Sequence, residues 1–376
     1  MSAAHDANPV LVTVLVPFIE SDDPNLAYYS DYSQSQGEYT RAFAALDIEW
    51  RWQLVAIDDF RDVLDELLAN SDRTHVVFNL CDGDEDNGVP GISVVRYLDA
   101  LGVVYTGADA SFFDITTSKI EMKRCFADAN VPTAPWADIT DRAATVGVFD
   151  KCGTPLIIKP AISAGSMGIT IDSVVHTEEA LRTQLDILRE GYRGWGLTGG
   201  GVIAERFVTG REFTTFIIGS AHEPSCRIIY PAVERVFNSS LPPTQQFLSF
   251  DRLWEIYERE ARLENNAYLW EYAPAPSDLV ERLSAVSWAA YASVGGRGYG
   301  RVDVRMDADT GELFVLEVNA QCALSEDEDY TSIGAILRYA QVPFHTAVQA
   351  IIDEAYRSHA ALRLAVAPRI AQSLPA

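Results

Sequence analysis

No run of 18 or more apolar residues occurs in the 376-residue chain, which excludes a membrane-spanning helix. Cysteine is scarce. Cys81, Cys125, Cys152, Cys226 and Cys322 are scattered, odd in number and nowhere spaced as CxxC. That argues against a disulfide framework and a zinc site, and for a reducing cytosol. The six histidines show no ligand-like pairing. Met1 to Pro9 has neither the basic nor the apolar stretch of a secretory signal, so a cytoplasmic location is expected. Positive charge is also in short supply: 29 Lys and Arg stand against 54 Asp and Glu, a net charge of −25. Such a chain repels nucleic acid and anionic membrane, and neither is expected as a partner. Any phosphate it binds has to be held by local cations, glycine amides or a metal.

What is present is the composition of a soluble globular protein, long enough for two or three packed domains. Val10–Val16, residues 50–55 and His75–Leu80 read as strands, and Asp58–Ala69 is an amphipathic helix between two of them. Pro90 opens a further helix to Leu101. This alternation predicts an open α/β domain with a parallel sheet over residues 1–108. A helix over Asp109–Asn130 carries Lys119 and begins a small central unit, residues 109–200. That unit includes the strand Leu156–Pro160 and the glycine-bearing loop Ser163–Gly168. The remainder, 201–376, starts with two strands around a Thr209-Gly210 turn. It continues through an irregular stretch at 222–275, a helix over Asp278–Val294 capped by Ser277, and two C-terminal helices at 331–340 and 344–364.

The stretch Gly300–Asn319, GRVDVRMDADTGELFVLEVN, organises the rest. Two alternating runs flank a polar turn, as in a β-hairpin. Alternation places Val302, Val304, Met306, Phe314, Leu316 and Val318 on one face. Arg301, Asp303, Arg305, Val315, Glu317 and Asn319 fall on the other. Folded antiparallel, the hairpin sets Asp303 opposite Glu317 and Arg301 opposite Asn319, each pair within about 5 Å. Two carboxylates that close repel unless a cation neutralises them. Hard oxygen donors suit magnesium shared with nucleotide phosphates. A half-buried hairpin with a charged outer face is the simpler alternative, but Glu317 sits in an apolar run where a spare carboxylate is costly.

Two further motifs lie upstream. Lys159 ends an apolar strand, and the loop after it offers amides and the hydroxyls of Ser163 and Ser166 to a polyphosphate. A β-turn beside a surface lysine is an equally good reading of that motif alone. Glu205-Arg206-Phe207-Val208, with Glu212 four residues on, can present backbone groups to an adenine edge, an apolar ring to its face and a carboxylate to ribose hydroxyls. In isolation these residues also suit strand edges with charges in water.

The order of these motifs resembles the ATP-grasp superfamily, and within it the D-alanine–D-alanine ligase-like enzymes. The order is lysine, lysine with glycine loop, Glu-x-x-Val with a later Glu, Arg-x-Asp, then Glu-x-Asn. The resemblance extends to Phe78–Gly83, Leu101–Gly107 and Val131–Trp136, and covers most of the chain. It implies an ATP-grasp fold, α/β (α+β), with the parallel N-terminal domain and two subdomains clasping ATP. Lys119 and Lys159 would contact ATP phosphates. Ser163, Gly165, Ser166 and Gly168 would form the lid over them, and Glu205, Arg206, Phe207, Val208 and Glu212 would hold adenosine. Asp303, Glu317 and Asn319 would bind two magnesium ions, with manganese as the alternative. Arg301 would steady the acyl phosphate, and Glu20 and Ser166 would serve the first substrate's ammonium network. The implied function is a carboxylate–amine ligase acting on small amino-acid-like substrates, in a homodimer. The rival readings are an ATP-grasp kinase and a nucleotide-binding module without turnover.

Departures from the family pattern bear on the substrate. Asp251-Arg252-Leu253-Trp254 stands where dipeptide-forming members carry Lys-Tyr. Cys81-Asp82-Gly83 replaces His-Gly, and Cys322-Ala323 replaces Pro-Gly. The acidic run Glu326–Asp329 is expected near the second substrate, where it could attract a cationic amine.

Overall fold

The computed structural model describes residues 9–19, 31–69, 72–83, 85–86, 88–163, 165–191, 195–255, 257, 260–264, 267–320 and 322–371. Its N-terminal sheet comprises β1 (Val10–Pro17), β2 (Trp50–Val55), β3 (Thr74–Asn79) and β4 (Val104–Tyr105). They run parallel in the order β2-β1-β3-β4. Central β1 is apolar except for Thr13, as in a strand covered on both faces, and Val12, Val14, Leu15 and Val16 are fully buried. The expected parallel α/β arrangement is therefore present, with helices Ser33–Leu46, Phe60–Leu68 and Ile92–Leu101 as its crossovers.

A second sheet is formed by β5 (Trp136–Asp138), β6 (Leu156–Pro160), β7 (Val174–Val175) and β8 (Val202–Arg206), antiparallel in the order β5-β8-β6-β7. The third contains β9 (Gly210–Ile218), β10 (Ile228–Ile229), β11 (Val233–Phe237), β12 (Trp270–Pro274), β13 (Tyr299–Asp307) and β14 (Leu313–Ala320). Its order is β12-β11-β9-β13-β14, with β10 also on β9. Three short strands within what reads as an irregular stretch at 222–275 thus widen this sheet. Its Pro-rich turns hid the strands, because proline and clustered polar residues mask a short period-2 signal.

The first and third sheets share their interior. One apolar cluster runs from Leu15, Val77 and Leu98 to Val302, Val304 and Val318. Another joins Val12, Val14 and Phe78 to Phe216, Tyr299 and the helix Phe344–Ala371. The hairpin β13–β14 is therefore buried against two layers and held rigidly. No helix among the described residues is long and apolar enough to cross a membrane.

Several helix boundaries differ from expectation: the last helix runs to Ala371 rather than 364, and Pro90 lies just before the helix Ile92–Leu101 rather than in its first turn. The helix over 109–130 is two helices, Ala110–Thr117 and Lys119–Asp128, broken at Ser118. Thr116 and Thr117 turn their hydroxyls back onto the Phe112 and Phe113 carbonyls, and Ser118 caps the second helix. The break places Lys119 at a helix start, with its amide on the Ala161 carbonyl at 2.8 Å. The helix at 280–293 begins after Leu279 without a side-chain cap, so Ser277 lies outside it.

Candidate functional site

Strand register builds the site. Asp303 pairs with Glu317 and Arg301 with Asn319, as the alternation predicts. Between Asp303 and Val304 the register shifts, so Val304 pairs with Val315 and Arg305 with Phe314. An inserted residue reverses side-chain direction beyond it. Val315 therefore joins Val302, Val304 and Val318 in the fully buried face, while Phe314 and Leu316 leave it. This corrects the face expected for those three residues and explains why Glu317 still meets Asp303.

Asp303 is buried and densely bonded. Thr214 donates its hydroxyl to Oδ1 at 2.6 Å, and Arg301 donates through Nε at 3.1 and 3.2 Å and Nη2 at 2.9 Å. The Asn319 amide bridges Asp303 and Glu317 at 3.2 and 3.3 Å. Lys119 Nζ lies 3.7 Å from Glu317 Oε2. Burial alone would raise the Glu317 pKa. Lys119, Lys159 and Arg301 outweigh it and hold the carboxyl below its ordinary range, so it is an anion. Beside it the Cys322 thiol is pushed up to about 12 by burial, and it is not a nucleophile at neutral pH.

Lys119 and Lys159 converge on this patch from different elements. Lys119 Nζ also donates to the carbonyl and hydroxyl of Ser163, at 3.2 and 3.4 Å, tying the glycine-bearing loop to the second of the broken helices. The loop is shaped by left-handed backbone at Gly165, Ser166 and Gly168. At Gly168 a Cβ would sit 2.8 Å from Leu197, so glycine is needed for space as well as for φ. Ser166 turns its hydroxyl to the Leu248 carbonyl at 3.0 Å, and Trp254 donates to the Gly165 carbonyl at 3.0 Å. The loop is thereby stitched to segment 247–254, and the Ser166 hydroxyl faces that segment rather than Arg301. Glu20 lies outside the described residues.

The expected adenosine group divides. Glu205 and Arg206 alternate on β8 and point to opposite sides. Glu205 is almost wholly enclosed, with one oxygen on Lys123 and the other on Lys159 at 2.9 Å. Both oxygens are occupied by ammonium groups. Arg206 turns to Asp307 at 3.2 Å and lies over the Phe314 ring at 5.0 Å, at the turn end of the hairpin. Phe207 is buried against Ile157, Ile169 and Phe247, forming an apolar wall beside the connector. Glu212 is clasped by Arg235 and by Arg305, whose Nη2 is 2.8 Å away. Arg305 also donates to the Val208 carbonyl at 2.8 Å and lies over Phe207.

Lys123 escapes the sequence reading, although a signal for it exists, and Arg305, placed there on the charged face of the hairpin, is instead buried on Glu212. Lys123 follows Lys119 by four residues, on the apolar side of its helix with Ile120, Met122 and Phe126. A lysine at core spacing asks for a buried partner. The acidic run has cations of its own: Glu326 pairs with Arg41, and Arg338 lies 3.6 Å from both Glu328 and Asp329, all of them in exposed pairs. Asp327 accepts the amides of Asp329 and Tyr330, each at 3.1 Å. Arg252 is likewise internal, bonded to Glu260 at 2.7 Å and to the Gln245 and Phe247 carbonyls. Cys81 is fully buried.

The chain as a whole is similar to known proteins. A family model for the D-ala D-ala ligase C-terminus matches residues 125–352. The D-alanine–D-alanine ligase of Xylella fastidiosa is 30% identical over 248 residues, 65% of this chain and 70% of that one. That of Xanthomonas axonopodis pv. citri is 26% identical over 282 residues, 74% and 77% of the two chains. Among solved structures, the ligase of Coxiella burnetii gives a TM-score of 0.68 at 13% identity, covering 98% of this chain and 99% of that one. The Bacillus anthracis ligase complexed with ATP gives 0.63 at 18% identity, covering 93% and 98%. The fold is the ATP-grasp fold, and the enzyme class is that of ligases forming C–N bonds. Within it, the chain belongs to the D-alanine–D-alanine ligase family.

Proposed function

We propose that this chain uses ATP to join the carboxylate of one amino-acid-like substrate to the amine of another. The carrying observation is the convergence of Arg301, Asp303, Glu317 and Asn319 on one hairpin face, with Lys119 at 3.7 Å from Glu317. Mere nucleotide binding does not need that whole set. The substrate carboxylate oxygen attacks the γ-phosphorus, the bond to the β-phosphate bridging oxygen breaks, and ADP leaves an acyl phosphate behind. The amine nitrogen then attacks the acyl carbon, phosphate departs with the C–O bond electrons, and the amine proton passes to solvent. Lys119 and Lys159 offset the polyphosphate charge, and Arg301 steadies the transferred group. Ser163–Gly168, stitched to 247–254, covers the reacting atoms and excludes water from the acyl phosphate.

Asp303, Glu317 and Asn319 would hold magnesium. Two carboxylates, one of them held ionised by its neighbours, and an adjacent amide are hard donors that fit the ion. Among the described residues no cluster of three or more His, Cys, Asp or Glu is placed to hold a metal, so phosphate and water oxygens would complete the shell. The ion would supply charge compensation at the phosphates. The Phe207 wall and the Glu212 side of the connector would receive adenosine.

D-alanine, named for the relatives, is the first substrate to try, with other amino acids of both hands beside it. ADP release across that panel tests the reading, and amide product separates ligation from phosphorylation. Asp303→Asn and Glu317→Gln are expected to reduce turnover at least about 10²-fold with circular dichroism unchanged. Near-normal rates in both would overturn the site.

A further inference from the structure

Glu205 has two ammonium partners of unequal character. Lys123 is 1% exposed, and its three N–H donors meet three acceptors: Glu205 Oε1, Thr133 Oγ1 at 2.7 Å and the Leu316 carbonyl at 3.5 Å. Thr133 spends its own proton on the Val315 carbonyl at 3.0 Å, so its oxygen can only accept from Lys123. Burial lowers the Lys123 pKa and Glu205 opposes it; as an ammonium Lys123 has no donor to spare. Lys159 stands at the end of β6, its side chain 13% exposed, and Glu205 Oε2 at 2.9 Å is its one described hydrogen-bond partner. It has donors left over and a route to the cleft.

We propose that Lys123 is a positioning residue that releases Lys159 to the triphosphate by keeping Glu205 paired. The proposal rests on the reading above that Lys159 meets ATP phosphate. A carboxylate this deeply buried cannot be left unpaired without a large penalty. With Lys159 as sole counter-ion, moving it to phosphate would strand Glu205, and the carboxylate would compete with the nucleotide for the same ammonium. Lys123 removes that competition, because it holds Glu205 whether Lys159 is docked or away. The Glu205 carboxylate thereby becomes a resting place for Lys159 between turnovers, and Lys123 tethers it to β14 and to the Thr133 connector.

The test is ATP binding to the full chain in the presence of magnesium, measured by calorimetry, which needs no amino substrate. Lys123→Met is expected to weaken ATP binding about tenfold or more, because Glu205 then retains Lys159. Adding Glu205→Gln to Lys123→Met removes the competitor, and the double variant is expected to bind ATP within about threefold of Glu205→Gln alone, the reference that carries any contact of Glu205 with the nucleotide. A merely structural role for Lys123 gives no such recovery, so a double variant about tenfold or more weaker than Glu205→Gln overturns the proposal, as does unaltered binding in Lys123→Met. Should Lys123→Met fail to fold, the comparison of the double variant with Glu205→Gln carries the test alone, since the double variant buries no unpaired charge. Lys159→Met separates the two levels. If it leaves ATP binding intact, the placement of Lys159 at the phosphate falls and this proposal with it. If it weakens binding while the double variant shows no recovery, only the role of Lys123 falls.

Discussion

Replacing Arg305 by methionine probes how segment 241–250 is held over the nucleotide side of the cleft. The guanidinium is 3% exposed and reaches three elements at once: Glu212 on β9 at 2.8 and 3.1 Å, the Val208 carbonyl at 2.8 Å, and the Gln246 carbonyl. Methionine keeps most of the volume and removes every donor. Breaking a buried ion pair from one side costs about 3–5 kcal/mol. Here Arg235 remains on Glu212, which brings that share down to roughly 1–2 kcal/mol, the scale of a charge-assisted hydrogen bond. Each stranded carbonyl adds about 1 kcal/mol where water can reach it on opening. The loss is therefore about 3 kcal/mol, concentrated where Gln246 and Val208 sit rather than spread over the chain. Hydrogen exchange reads such local opening directly. Amides of 241–250 are expected to exchange roughly 10²-fold faster in Arg305→Met, while those of β1 and β3 keep wild-type protection. Lysine should not restore them, since a single ammonium cannot span three acceptors in the fork geometry of arginine. Unchanged exchange at 241–250 would refute the argument, because the segment would then be held by something other than this side chain.

Two other outcomes follow from the charges. Burial raises the pKa of Glu205 and Glu212, but Lys123 and Lys159, and Arg235 and Arg305, outweigh it, so both sit below the ordinary 4.5, as does Glu317. A depressed carboxylate contributes stability that is complete above its unfolded pKa and is lost as pH falls through its folded one. Denaturation midpoints should accordingly hold from neutrality to about pH 5 and then drop, with a shallower acid slope in Glu212→Gln. A flat acid limb, or one unaltered by the substitution, would count against the pairing. At the acidic run, Glu326→Gln should cost under about 1 kcal/mol, because its pair with Arg41 is exposed at 36% and 64%. Glu38→Ala should cost more, since buried Glu38 anchors the Ser325 hydroxyl at 2.8 Å and the Glu326 amide at 3.2 Å. A larger loss at Glu326 than at Glu38 would reverse that assignment.

The hairpin was legible because its chemistry is local. A period of two, a polar turn and four side chains within twenty residues fix which groups meet, and the register holds Asp303 against Glu317. The parallel sheet was legible for the same reason, since β1 and β3 announce burial on both faces. Failures fall where one residue or one distant partner decides. The inserted residue near Leu316 reverses Val315 and Phe314, and alternation carries no mark of a bulge. Glu205 pairs with Lys123, 82 residues away in sequence and invisible to any local pattern. The pairing of the acidic run with arginines 41 and 338 was likewise hidden, because these residues come together only in the fold. Segment 222–275 hid its strands because they complete a sheet begun elsewhere.

The partners that sequence could not reveal explain how a chain of net charge −25 can hold a polyphosphate at all. Lys119, Lys123, Lys159, Arg235, Arg301 and Arg305 are gathered around the connector and hairpin, and each is matched by Glu205, Glu212, Asp303 or Glu317. Bare cations in a low-dielectric cleft would repel one another and destabilise the fold, so the carboxylates keep them assembled. The pairing also makes the cleft selective. A ligand must offer these cations at least what their own carboxylates offer, which a monoanion does poorly and a triphosphate with a divalent ion does well. In the proposed function Asp303 and Glu317 would hold the ion, which would offset their charge as the phosphates draw Lys119, Arg301 and Lys159 away. ATP affinity should therefore depend steeply on magnesium, because phosphate alone would leave those two carboxylates facing added negative charge. Calorimetric titration of ATP with magnesium and with a chelator present checks this, and equal affinities would show that the carboxylates of the hairpin take no part in holding the nucleotide.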